Sequence, residues 1–258
     1  MTSVSHKSRR AGLTLIELIA VLAILIALAG LLLPRLNDYL GAAHGASSAT
    51  NISEAMKFTE TFKARKSRYP NAWDGLVQTG GTSTVYVRLP IAGQSYIGVG
   101  PYTAGEVASL ASSGVTQVWE HLATVPTGTS ATEGYAAAAP VTIGTSAGRV
   151  TLTAAKVSDA LGFQVVNKAN AKFGFTTNPG DHTTFVVYGL GSGNELIGDT
   201  MADAPLHYDD KNGDPTATYQ RFLAVFAVDN TGAEAAYLVG FIGPDGESIR
   251  DHLKDFSK

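Results

Sequence analysis

Glu17 is the residue whose setting most constrains the chemistry of this chain. It is the single acid in an apolar run from Leu13 to Leu33, which follows a basic leader and Gly12 and is closed by Pro34. A carboxylate near one end of a membrane-length helix is costly in hydrocarbon and calls for a partner. Other patterns invite enzymatic or ligand-binding readings. Gly144-Thr145-Ser146-Ala147-Gly148 fits the G-x-S-x-G pattern of a serine nucleophile. That geometry needs a strand-to-helix turn, whereas Arg149 to Thr153 reads as strand. Gly189-Leu190-Gly191-Ser192-Gly193 lacks the final glycine and following helix of a dinucleotide loop, which leaves a tight turn. His182 and His207 stand at no metal-ligand spacing from another histidine and read as solvent-exposed loop residues. Asp209-Asp210-Lys211-Asn212-Gly213-Asp214 alternates oxygen ligands around a glycine, as calcium loops do. No bidentate glutamate follows at the required distance, so a solvated Asx turn is preferred. These patterns assign no catalytic residue, no cofactor and no metal ligand.

The element that must position Glu17 is a helix. The 21 residues from Leu13 to Leu33 would span roughly 30 Å, the hydrocarbon thickness of a bilayer. Lys7, Arg9 and Arg10 precede the run with no acid among them, which places the amino end in the cytoplasm and the rest of the chain outside. A secretory signal peptide has a shorter apolar core and an Ala-x-Ala-like cleavage site, neither of which is present here. A plain signal anchor needs only length and flanking charge, but leaves Glu17 unexplained. Pro34 removes a backbone donor, so a kink, local melting or a helix stop is expected there.

The segment Gly12-Leu13-Thr14-Leu15-Ile16-Glu17 resembles the processing site of type IV prepilins and of the pseudopilins of type II secretion. The resemblance implies cleavage between Gly12 and Leu13 by prepilin peptidase, with N-methylation of Leu13 by the same peptidase/methyltransferase. Glu17 then becomes the fifth residue of the processed chain and Pro34 the twenty-second, both matching the family pattern. Leu13 departs from it, since phenylalanine is commoner at that place. Cleavage would remove the leader cations that hold the helix in the membrane. Glu17 would then pair with the terminal amine of a neighbouring subunit in a water-excluded filament. The resemblance covers residues 7 to 36; a weaker likeness to the post-helix turn of pseudopilins lies at Tyr69 to Leu76. Major pseudopilins bind calcium in a carboxy-terminal loop, which draws attention back to Asp209–Asp214.

Beyond Pro34 an amphipathic continuation is expected over 35–68, with Ile52, Ala55, Met56, Thr59 and Phe62 on one face. A β-rich head should occupy 69–258, and its Gly/Ser/Thr-rich stretch 80–148 reads as a variable insertion. Strands are expected at Thr84–Leu89, Pro140–Ile143, Val150–Ala154 and Thr184–Gly189, with a hairpin formed by Arg221–Val228 and Ala235–Ile242. Short helices are expected at Glu106–Ser112 and Lys156–Leu161.

The chain has no cysteine, which excludes disulfides and thiolate metal sites. Taking the three leader cations from the net charge of −3 leaves −6 on the processed side chains, an acidic balance that argues against nucleic acid. The expected fold is α+β and pilin-like, a long amino-terminal helix packed on an antiparallel sheet. The expected function is structural: a subunit of a type IV pilus or type II secretion pseudopilus, not an enzyme. Its partners would be the peptidase, copies of itself or other pilins, and the inner (cytoplasmic) membrane, before a periplasmic or extracellular filament. The alternative is a minor pilin or membrane-tethered binding protein that recognises a surface or secreted substrate.

Overall fold

The computed structural model describes residues 14–80, 84–124, 130–133, 135–136, 139–173, 182–207 and 217–254, with backbone alone at residues 34, 37, 38 and 133. The chain divides into two compact units, Met1–Ala43 and His44–Lys258. Helix α1, Leu15–Lys66, contributes to both. In the second unit its Ser48, Ile52, Ala55, Thr59 and Phe62 are buried, a three- and four-residue spacing that aligns them on one face. The buried hydroxyl of Thr59 donates to the carbonyl of Ala55 at 2.7 Å. The helix ends where Ser67 turns into the left-handed region (φ 58°), three residues before Pro70.

Among the described residues the second unit is α+β and built on an eight-stranded sheet. Its strands are β1 (Trp73–Gln78), β2 (Ile97–Pro101), β3 (Gln117–His121), β4 (Val141–Thr142), β5 (Gly148–Leu152), β6 (Thr183–Gly189), β7 (Leu223–Asp229) and β8 (Tyr237–Ile242). The helices are α2 (Ala104–Ser113), α3 (Ala154–Leu161), α4 (Phe163–Phe173) and α5 (Ile249–Lys254). One edge of β6 carries β7 along its whole length, followed by β8. Its other edge carries β5 at Phe185–Val187 and meets β1 at Gly189.

β6 and β7 are buried on both faces, and their side chains divide by alternation. Val186, Tyr188, Ala224, Phe226 and Val228 join Ile52, Ala55 and Phe62 of α1 and Leu110 of α2 in one core. Phe185, Val187, Leu223, Val225 and Ala227 join Val157 of α3 and Val166 and Phe173 of α4 in a second. Burial on both faces explains why Leu223-Ala224-Val225-Phe226-Ala227-Val228 is an unbroken apolar run rather than an alternating one.

The expected antiparallel sheet is therefore a mixed one, because β1 and β3 run parallel. Parallel neighbours need a crossover of a dozen or more residues. The chain between β1 and β3, which holds β2 and α2, supplies that connection. Residues 80–148, read as an insertion, thus contribute β2, α2, β3 and β4 to the sheet and its covering. Thr84–Leu89 is not a strand: Val85 makes an isolated bridge to Val77, and turns follow to Tyr96. Tyr86, Leu89 and Ile91 fill the second core instead. Trp73 to Leu76, read within a turn, lies in β1. A register shift interrupts its pairing, and Leu76 sits there at φ 59°. The hairpin β7–β8, β4, β5, α2 and α3 lie where they are expected, within a few residues.

Candidate functional site: the apolar amino-terminal helix

Among the described residues one helical stretch is long and apolar enough to cross a membrane, Leu15–Leu33, and none of its residues is buried. At 1.5 Å per residue its 19 residues extend about 28 Å, close to the thickness of a hydrocarbon core. A helix that is apolar all round stands in water only at large cost and seeks lipid or other helices. In such surroundings the first backbone N–H groups also need partners, since no water supplies them.

Thr14 and Glu17 supply partners for two of them. The backbone N–H and the hydroxyl of Thr14 both donate to Glu17 Oε2 at 2.8 Å, and the N–H of Glu17 donates back to Thr14 Oγ1 at 3.4 Å. This is a reciprocal capping box, and it sets the carboxylate at the positive end of the helix dipole. Glu17 therefore has a partner within its own chain, a role that sequence reading passed over. The signal was present as Thr-x-x-Glu before an apolar run.

Helical structure continues through Pro34 without a break, so this residue neither stops nor melts α1. The missing donor leaves one carbonyl, that of Gly30, without its helical partner. Gly12, Leu13 and the Asp209–Asp214 loop lie outside the described residues.

The remaining motif residues separate. Ser146 is exposed in the turn that leads into β5, so no helix follows it. Gly191 and Gly193 lie in turns after β6. A side chain at Gly191 would overlap the Asp74 carboxylate and the Tyr135 hydroxyl, so close packing requires glycine there. The Tyr219 hydroxyl donates to Asp74 Oδ2 at 2.6 Å inside this buried group. Burial, then the nearby Asp74 charge, raises the Tyr219 hydroxyl well above its ordinary pKa and keeps it a donor.

His182 precedes β6, and its carbonyl accepts from the N–H of Asn230 at 2.9 Å. His207 corrects the expectation of an exposed loop residue: it is 4 % exposed, with Ser48 Oγ 2.9 Å from its Nδ1 and Asp245 Oδ2 3.1 Å from its Nε2. Ser, His and Asp are the residue types of a hydrolytic triad. Here the serine is 3 % exposed within α1, so no substrate carbonyl reaches it. Burial alone would raise the Asp245 carboxyl, but the hydrogen bond and charge of His207, the Glu247 amide and the His252 charge outweigh it and hold the group below its ordinary value.

An apolar groove of about 670 Å³ opens between α1, α3, β8 and α5, lined by Ile52, Met56, Leu161, Val239, Phe241 and Leu253 among others. Comparison with family models, with curated proteins and with solved structures finds no match.

Proposed function

We propose that this chain is a pilin-like structural subunit, inserted in the inner membrane by Leu15–Leu33 and assembled through the same helix into a type IV pilus or a type II secretion pseudopilus. The observation that carries the reading is the pairing of an exposed, all-round apolar helix with a carboxylate at its start, on a chain whose His44–Lys258 unit has its own buried core. The prepilin-like junction at Gly12-Leu13 supports it from the sequence. In this mechanism the leader orients the helix, cleavage removes its three cations, and the freed helix exchanges lipid for neighbouring helices. Packing between apolar helices carries little hydrophobic gain inside lipid, so polar pairing and close contact set the register. Glu17 serves both steps. Its Thr14 box keeps the helix start satisfied in the membrane, and its charge meets the amine of a neighbouring subunit in the filament.

Mass spectrometry of the native protein tests the reading. A chain beginning at Leu13 with an added methyl group is the expected result. A mature chain that retains Lys7 to Gly12 would reduce the segment to a signal anchor.

The groove beside α5 favours one second reading, a tethered head that binds a partner. Deletion separates the two, because loss of a structural subunit abolishes filaments, whereas loss of a binding head leaves them in place and alters adhesion or secretion.

A further inference from the structure

We infer that His207, Asp245 and His252 form a site for one divalent transition metal ion of the zinc class, which pins α5 to the body of the second unit. One ligand atom from each lies within 4.8 Å of the other two. Both imidazoles are 4 % exposed, with ring centres 5.1 Å apart. A tetrahedral zinc ion with bonds of about 2.05 Å needs ligand edges of about 3.3 Å. The His207 Nε2–Asp245 Oδ2 separation is already 3.1 Å, so the remaining closure falls on His252.

The two histidines share an orientation that a metal site requires. His207 turns Nε2 to Asp245 and Nδ1 to Ser48 Oγ, at 2.9 Å. His252 turns Nδ1 to Glu247 Oε2, at 3.6 Å. A Cβ at Gly243 would overlap the Asp245 carboxylate and come within 3.2 Å of His252 Nε2, so that nitrogen faces the same space as Asp245. Metal-ligating histidines commonly use the second ring nitrogen to donate to a hydroxyl, carbonyl or carboxylate that fixes tautomer and ring direction. Ser48 and Glu247 stand where those outer partners belong. Two imidazoles and one carboxylate suit zinc, cobalt or nickel over calcium and magnesium, which prefer all-oxygen sites. The three ligands come from the stretch between β6 and β7, the turn after β8 and α5, so an ion would join three separate pieces of a chain that has no cysteine for a disulfide, with Ser48 of α1 reached through His207. The inference is independent of filament assembly.

Full-length protein in detergent, stripped with chelator, is titrated with cobalt(II) and then zinc. The expected result is one cobalt ion per chain with visible d–d absorption, displaced by zinc, and a melting temperature that zinc raises and calcium does not. Asp245→Asn and His252→Gln each remove a ligand and should weaken zinc binding by more than about 100-fold, whereas Ser48→Ala should weaken it about 10-fold, within the span for ligand-orienting partners. Circular dichroism verifies that each variant is folded. His252→Gln keeps a polar side chain on the six-residue helix α5 and serves as the second folded variant should Asp245→Asn fail. Absence of saturable zinc binding by the wild type would overturn the inference. So would binding that Asp245→Asn and His252→Gln leave unchanged, or that Asp210→Ala and Asp214→Ala remove.

Discussion

Replacing Glu17 by glutamine and by alanine separates the two roles this carboxylate holds. Glutamine keeps the acceptor that Thr14 uses, since a capping box accepts either Glu or Gln at this place, but it carries no charge for a neighbour's amine. Alanine loses both, and loss of a capping interaction costs about 0.5–2 kcal/mol of helix stability. Both variants should insert into the membrane, since each makes the segment less costly in lipid. Both should give few pelletable filaments, with Glu17→Ala also showing a frayed helix start by hydrogen exchange. Normal filament yield from Glu17→Gln would limit the residue to capping. The Thr14–Glu17 pair was legible from four consecutive residues because capping is local. His207 was not, because the residue facing it, Ser48, is 159 positions away.

At the scale of elements, the β7–β8 hairpin depends on Asp229. Its Oδ1 accepts from the N–H and hydroxyl of Thr231 at 2.9 and 2.8 Å, and its Oδ2 accepts from the N–H of Glu234 at 2.9 Å. Burial would raise this carboxyl, but the donors from Thr231, Glu234 and Ala233 prevail and hold it below its ordinary value. A lowered native pKa means that on acidification the unfolded chain takes up its proton first. The stabilisation is therefore complete above the ordinary carboxyl value of about 3.9 and is lost as pH falls through the lower native one. Urea midpoints followed from about pH 6 to about pH 2.5 should fall for the wild type. Asp229→Asn should start lower at the upper end and fall less steeply; parallel curves would remove the turn from the acid response. Phe226, at the centre of β7, packs edge-on to Tyr69 and Trp73 with ring centres 5.3 and 5.5 Å apart. Phe226→Ala should cost about 3–5 kcal/mol of stability, read from equilibrium unfolding, because three aromatic neighbours leave little room for collapse. A loss under about 1 kcal/mol would mean that the core refills the space.

For the molecule as a whole, the two units predict different solubilities. A chain from His44 to Lys258 retains both cores, since every residue in them lies in the second unit. It should be soluble without detergent and unfold in one cooperative transition, followed by circular dichroism and sedimentation. The full chain should partition into membranes. A truncated chain that lacks a cooperative transition would show that the apolar segment is needed for folding, rather than for membrane insertion and assembly.

The sequence by itself determined the apolar helix, the amphipathic spacing of α1 within the second unit and the β7–β8 hairpin. All of these rest on neighbours within a few residues or on one continuous run. Only the tertiary structure decided the partners of β1. Pro70, Asn71, Asp74 and Gly75 are turn-formers by local preference, yet the segment after Ala72 pairs in parallel with β3 through a connection of 38 residues, 79–116. No local signal encodes a parallel pair, because its ladder closes only after a long crossover has folded. Sequence patterns likewise located α2 and α3 but not the placement of helices on both sheet faces. Burial of both faces becomes visible once β6 and β7 occupy the middle of the sheet. The His207–Asp245–His252 cluster belongs to the same class. Its members have no common periodicity, and they meet because the turn after β8 folds back and brings α5 beside His207.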